Sequence, residues 1–252
     1  LGILSRQMDD IALMRAAMMR SAAPRGSGAG GEVLRIGVCR TFNWDQAEPE
    51  AKDALESSAN TLADAGAEVN DVELPAVFDG IEESFRIIAT TEGRAAIKYE
   101  LDTHFDQLNF WIQEGAAAGS DWADGEYEDA LAHAAACRTS LRAIFASRDV
   151  LLTPSTTGEA PDDLVGISNS AFNSTWTLMH GPCVTIPAFT GPNGLPVVEE
   201  WTVGPLTISL DGEPSANGKQ ATLCSEPVIT RRRLEIPPGI TRHIRALACN
   251  PF

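Results

Sequence analysis

The sequence predicts an α/β fold, a mixed β-sheet flanked by helices, and three observations predict it. Short apolar runs rich in β-formers, LRIGVC (34–39), DVLLTP (149–154) and CVTIPAF (183–189), read as buried strands bounded by Gly and Pro. Stretches with apolar residues at helical spacing lie between them, and alternation of helix with strand is the grammar of an α/β layer. The chain is 252 residues long, 44% apolar and 21% charged, so it can fill a sizeable core and stay near average soluble composition.

Taken in order, Gln7 to Arg20 carries Met8, Ile11, Ala12, Met14 and Met18 at roughly helical spacing, with Asp9 and Asp10 in the first turn and Arg20 in the last. SAAPRGSGAGG then breaks the pattern before LRIGVC. Glu48 to Ala65 predicts a second helix: Pro49 suits its first turn, Ala51, Ala54, Leu55, Ala59 and Leu62 line one face, and Gly66 stops it. AEVNDVELP alternates imperfectly and reads as an edge-like strand. Residues 79–114 and 124–147 read as helices joined by a loop, and Pro154 is expected to end the DVLLTP strand. Phe172 to Met179 predicts a short helix that Gly181 and Pro182 end, and the turn GPNG joins CVTIPAF to LPVVEEWTV.

Charge narrows the function. A formal net charge of −16 argues against nucleic acid or an anionic membrane surface as partner, because the summed field repels phosphate. No run approaches the roughly 18 apolar residues of a spanning helix. Cys39, Cys137, Cys183, Cys224 and Cys249 have wide, irregular spacing, without a Cys-x-x-Cys pair or a His set at zinc spacing. They are read as reduced thiols in the cytoplasm, with Cys39 and Cys183 as core fillers, and neither a metal nor a cofactor is expected.

The blocks of this chain resemble those of the amidase signature family. WTLMHGPCVTIPAFTGPNGLP resembles the form W-N-x-x-G-x-P-x-x-x-(I/V)-P-x-G-x-x-x-x-G-L-P. LGILSRQMDDIALM, RIGVC with its following helix and GAEVNDVELP, and DVLLTPSTTGEAP resemble further blocks in the same order, over roughly residues 1–196. The resemblance implies an amidase-signature-like sheet and hydrolysis or transfer of an amide group. It implies a nucleophilic Ser that passes its proton through a second Ser, held by a cis peptide bond, to a deprotonated Lys, with a Gly/Ser-rich loop holding the oxyanion.

That machinery has no match here. Lys52 lies in EAKDALE, Lys98 in RAAIKYE and Lys219 in an NGK turn, all read as solvated charges, and GSGAGGE (26–32) offers one serine, Ser27, in a linker. In the family both elements precede the block that LGILSRQMDDIALM resembles. The chain is therefore expected to be an incomplete domain that begins after its own chemistry, without a catalytic residue and inactive alone. The missing N-terminal half, or a homo-oligomer partner, would complete it.

Through the resemblance, Thr153 and Pro154 at one strand end, with Trp176, Gly181 and Pro182 before the next strand, are expected to wall a small-molecule amide substrate at the strand ends, where open α/β sheets bind ligands. Trp176 as plain core is the competing reading. Ser155, His180 and Asp162 could be imagined as a substitute triad, but they carry no spacing signature. His104 and His133 sit in helical stretches, and Cys183 lacks a charged neighbour that would make a thiolate.

Residues 1–204 form the expected domain, with 13 Lys/Arg against 31 Asp/Glu, whereas residues 205–252 hold 6 against 4 and depart from the family pattern. Adjacent Glu199 and Glu200 and the run RRRLEIPPGITRHIRALACNPF lead us to expect a divergent tail, disordered or frame-shifted. The alternatives to an amidase fragment are a non-catalytic binding or assembly subunit with an amidase-like fold, and a plain structural α/β domain.

Overall fold

The computed structural model describes residues 2–5, 8–19, 33–118, 122–161, 171–181, 183–203 and 246–249. Among the described residues seven strands form one mixed sheet: β1 (Gly2–Ser5), β2 (Arg35–Val38), β3 (Glu68–Asp71), β4 (Val150–Glu159), β5 (Cys183–Thr190), β6 (Pro196–Val203) and β7 (Ala246–Cys249). Their order is β1-β7-β5-β6-β4-β2-β3, with β3, β2 and β4 parallel and the other pairings antiparallel.

The helices are α1 (Met8–Met19), α2 (Pro49–Asp64), α3 (Ile81–Ala96), α4 (Lys98–Thr103), α5 (Phe110–Ala118), α6 (Glu126–Phe145) and α7 (Asn173–Met179). Strand alternation sends successive side chains to opposite faces, and the core divides accordingly. Ile36, Val38 and Leu152 pack with Leu55 and Leu62 of α2 on one face. Leu151 and Cys39 pack on the other with Ile87, Ile88, Ala134, Leu141, Trp176 and Met179 of α3, α6 and α7. The sheet is thus a middle layer between α2 and a thicker helical layer.

α2 forms as expected. Pro49 opens it, Ala51, Ala54, Leu55 and Leu62 are buried, and Gly66 follows its end with φ of 93°. Residues 79–114 divide instead into α3, α4, a 3-10 turn and α5. Leu108 is extended, and the Asn109 side chain accepts a hydrogen bond from Trp111 N at 2.9 Å, which caps a fresh helix. α1 also forms, but Met14 and Met18 are exposed while Ile11 and Ala16 are buried, so its inward face differs from the expected stripe.

β4 does not stop at Pro154. It runs to Glu159, and its register against β6 shifts between Pro154 and Glu159. Proline donates no ladder hydrogen bond, and the strand accommodates it by irregularity rather than by ending. β5 does the same around Pro187, where its register shifts between Ile186 and Phe189.

β1 and β7 are strands that the sequence reading did not place. Of the expected tail, 205–245 and 250–252 lie outside the described residues. Among the described residues no helix is long and apolar enough to cross a membrane.

Candidate functional site

The carboxyl ends of β2 and β4 lie side by side where the chain order reverses, since the connection through α2 leads to β3 and that through α3–α6 leads back to β4. In open α/β sheets such a point is the usual ligand crevice. Three segments converge on it: the loop after β2, the distal part of β4, and α7.

The loop after β2 is strained and then locked. Thr41 has φ of 57°, costly for a β-branched residue. Two residues on, the buried Asn43 donates through Nδ2 to Glu82 Oε1 at 2.6 Å and to Ala171 O at 2.8 Å, and its Oδ1 accepts from Gln46 Nε2 at 2.9 Å. One amide therefore ties the β2 loop to α3 and to the entrance of α7.

On β4, Leu151 belongs to the core shared with Trp176, and Thr153, two residues on, shares Leu151's face. Thr153 is fully buried in its ladder position opposite Glu200, and its Oγ1 has no hydrogen-bond partner. Pro154, opposite Glu199, falls on the other face.

In α7, Thr175 and Trp176 are each 1% exposed, and Thr175 Oγ1 and Trp176 Nε1 are likewise unpartnered. Asn173 Oδ1 is another such atom. Four of the six unpartnered buried side-chain polar atoms among the described residues thus fall in β4 and α7. A buried polar group left unpaired costs about 1–3 kcal/mol, which makes the concentration informative.

Thr153 and Trp176 are therefore brought to one side of the sheet, Gly181 lies half-buried just beyond α7, and Pro182 lies outside the described residues. The sequence reading missed Thr175 and Asn43. An asparagine just beyond a parallel strand's carboxyl end was the signal available for the second.

At the end of α7, Arg138 Nη1 of α6 donates to Leu178 O at 2.8 Å, and His180 takes the left-handed conformation with φ of 55°. Desolvation, then the Arg138 charge, push the His180 imidazole below its ordinary range, against an opposing pull from Glu92.

Of the substitute triad, Ser155 is buried, His180 is exposed, and Asp162 lies outside the described residues. His133 lies between the Ser84 hydroxyl, 2.8 Å from Nδ1, and Val77 O, 2.7 Å from Nε2, a clip between α3, α6 and the turn before α3. Burial pushes the Cys39 thiol up to about 11 and raises that of Cys137, so neither is poised as a thiolate. Lys52 holds its ammonium over the Trp44 ring at 5.6 Å, and Lys98 pairs with Asp102 at 2.7 Å. Neither hydrogen-bonds a serine hydroxyl; Lys219 lies outside the described residues. Among the described residues no group of three or more His, Cys, Asp or Glu is placed to hold a metal ion.

These features can be set beside known proteins. The 2-amino-5-chloromuconic acid deaminase of Comamonas testosteroni is 27% identical over 218 residues, which span 78% of this chain and 45% of the relative. A glutamyl-tRNA(Gln) amidotransferase component from Wolbachia pipientis wMel is 27% identical over 78% of this chain and 48% of its own length. The chain thus spans about half the length of the curated relatives it matches.

Among solved structures, a crystal structure of an amidase superposes with a TM-score of 0.64 at 20% identity, over 77% of this chain and 46% of that one. A 6-aminohexanoate cyclic dimer hydrolase does so with 0.60 at 19%, over 73% and 45%. The described sheet is accordingly part of a larger fold in these neighbours. The family model described as Amidase matches residues 1–197, and the chain belongs to the amidase signature family.

Proposed function

We propose that this chain is the part of an amide-cleaving hydrolase that walls the substrate, with Thr153, Trp176, Gly181 and Pro182 as that wall, Pro154 on the opposite face of the sheet, and without the Ser-Ser-Lys set that breaks the bond. The observation that carries the wall is the concentration of unpartnered polar atoms on Thr153, Thr175 and Trp176. A hydroxyl can both donate and accept, and an indole N–H donates, so together they match the carbonyl and N–H of an amide. Family membership supports the amide chemistry, and the positions of Lys52 and Lys98 support the absence of a serine-activating base in the described part.

Turnover then requires the N-terminal half of the domain, with the serines and the lysine, or a homo-oligomer partner, in a cytoplasmic setting. The partial span of the relatives supports this. The test is hydrolysis of hexanamide and benzamide by the chain alone and after mixing with the amino-terminal half of an amidase-family relative. We expect no turnover above the uncatalysed rate from the chain alone, and turnover lost in Thr153→Val and Trp176→Phe for the mixture. Turnover by the chain alone that Ser155→Ala abolishes would sink the reading.

A further inference from the structure

His180 is a residue that its backbone does not favour. It ends α7 in the left-handed region, with φ of 55° and ψ of 23°, which glycine adopts freely and a residue with a Cβ adopts only where its surroundings hold it. The segment pattern that Trp176 to Pro182 resembles has glycine at this point. Here the helix end instead carries an exposed histidine, next to Gly181, in a helix whose Thr175 and Trp176 are buried.

Arg138 reaches the same place from α6. Its Nη1 holds Leu178 O, two residues before His180, and so takes up a carbonyl at the negative end of α7. Several other cations pair with acids, Arg35 with Asp149, Arg40 with Glu56 and Asp71, Arg86 with Glu83 and Lys98 with Asp102, whereas Arg94 and Arg148, like Arg138, donate to backbone carbonyls. Arg138 has no carboxylate partner among the described residues, in a chain whose net charge is −16. Glu92 of α3 acts on His180 in the opposite sense to Arg138, and its Oε1 accepts the Tyr127 hydroxyl at 2.9 Å.

A guanidinium anchored on the carbonyl two residues before an imidazole brings several N–H donors to one helix end, and such donors match the two oxygens of a carboxylate. We propose that His180 and Arg138 form a recognition point for a carboxylate borne by the ligand, which makes His180 a specificity-determining residue at the mouth of the wall. The proposal rests on the wall reading above and narrows its substrate class to amides that also carry an acid. Binding of the carboxylate favours the protonated imidazole, so ligand and proton bind together.

The test is an NMR titration of the imidazole resonances of the whole chain with succinamate, a small amide bearing a carboxylate, and with succinamide, its uncharged counterpart. We expect succinamate to shift the His180 resonances saturably and to raise their titration midpoint, and succinamide to leave both unmoved. Arg138→Gln and His180→Asn should each weaken succinamate binding at least tenfold. Asparagine tolerates the left-handed backbone and His180→Gly relieves it, so both variants should fold.

No response to succinamate, an equal response to succinamide, or full binding in either weakened variant would overturn the proposal. The readout is binding rather than turnover. Selective succinamate binding without hydrolysis in the completed enzyme would therefore leave this inference standing while the amidase reading fell.

Discussion

Gly37 lies in the middle of the parallel part of the sheet, and an added Cβ there would come 2.6 Å from Val72 Cγ2 and 2.7 Å from Leu151 Cδ2. Both are side-chain methyls, one on β4 and one on the residue after β3, and at these distances they must shift. Gly37→Ala should therefore destabilise by about 1–3 kcal/mol, the usual cost of overpacking, read as a lower urea midpoint at unchanged slope. His180 presents the opposite case. Removing its Cβ from a left-handed position should stabilise by about 1 kcal/mol, so His180→Gly is expected to raise Tm.

The same residue sets a pH dependence. Its folded-state affinity for protons lies below that of the unfolded chain, so the neutral imidazole is the form that folding favours. That contribution is complete above the unfolded value of about 6.5 and is lost as pH falls through the lower folded value. Wild type should lose more stability than His180→Gly between pH 7 and pH 5, and parallel Tm profiles would refute this. A substitution that stabilises yet removes the proposed carboxylate contact is the trade expected where strain serves binding.

At the scale of elements, one carboxylate organises the β5–β6 turn. Glu159, the last residue of β4, accepts from Asn193 N at 3.1 Å, Asn193 Nδ2 at 3.0 Å and Leu195 N at 2.5 Å, and Gly194 in that turn has φ of 85°. Hydrogen bonds to a charged acceptor contribute about 1.5–3 kcal/mol each where they are sheltered, and less at an exposed turn. Glu159→Ala should cost about 1–3 kcal/mol and speed amide exchange at Asn193 and Leu195, whereas unchanged exchange there would show that the turn holds itself.

The turn residues Gly191 to Gly194 were legible in the sequence because Gly and Pro punctuate directly, but the acid that clasps them was not, since its partner is 34 residues distant. Strands β2, β4 and β5 were legible for a related reason: apolar β-forming runs have few other homes. The ends were not. Pro154 reads as a stop, yet β6 pairs with β4 at Pro154 and again at Glu159 through an irregular register, although β2 lines only Val150 to Leu152. The break after α4 escaped because helical periodicity persists through Phe105 to Asn109, and only the Asn109 cap marks the restart.

The candidate site shows the same division. Thr153 and Trp176 are named from their blocks as candidates, whereas Asn43 and Arg138 make contacts 128 and 40 residues away that no local pattern carries.

For the whole molecule, opposing surface forces decide behaviour in solution. β3 is an edge strand defended by charge, with Asp71 paired to Arg40 at 2.7 Å and Glu68 exposed, a pattern that discourages pairing with another chain. The α4–α5 segment presents rings instead: Tyr99, Phe110 and Trp111 are 68%, 60% and 58% exposed, and the Phe110 and Trp111 rings stack edge to face at 5.5 Å. Exposed aromatic surface of this kind favours association, while a net charge of −16 keeps copies apart.

The two forces differ in range and in response to salt. Repulsion between whole molecules is screened over about 30 Å at 0.01 M salt and about 8 Å at 0.15 M, and the apolar attraction is unaffected by screening. The isolated chain should therefore sediment mainly as a monomer at low ionic strength and self-associate as salt rises. A Phe110→Ser, Trp111→Ser double variant should remove most of that association at little cost in Tm, because neither ring is in the core. Association that weakens with salt would place ion pairs at the contact instead, and association untouched by the double variant would move it away from α5.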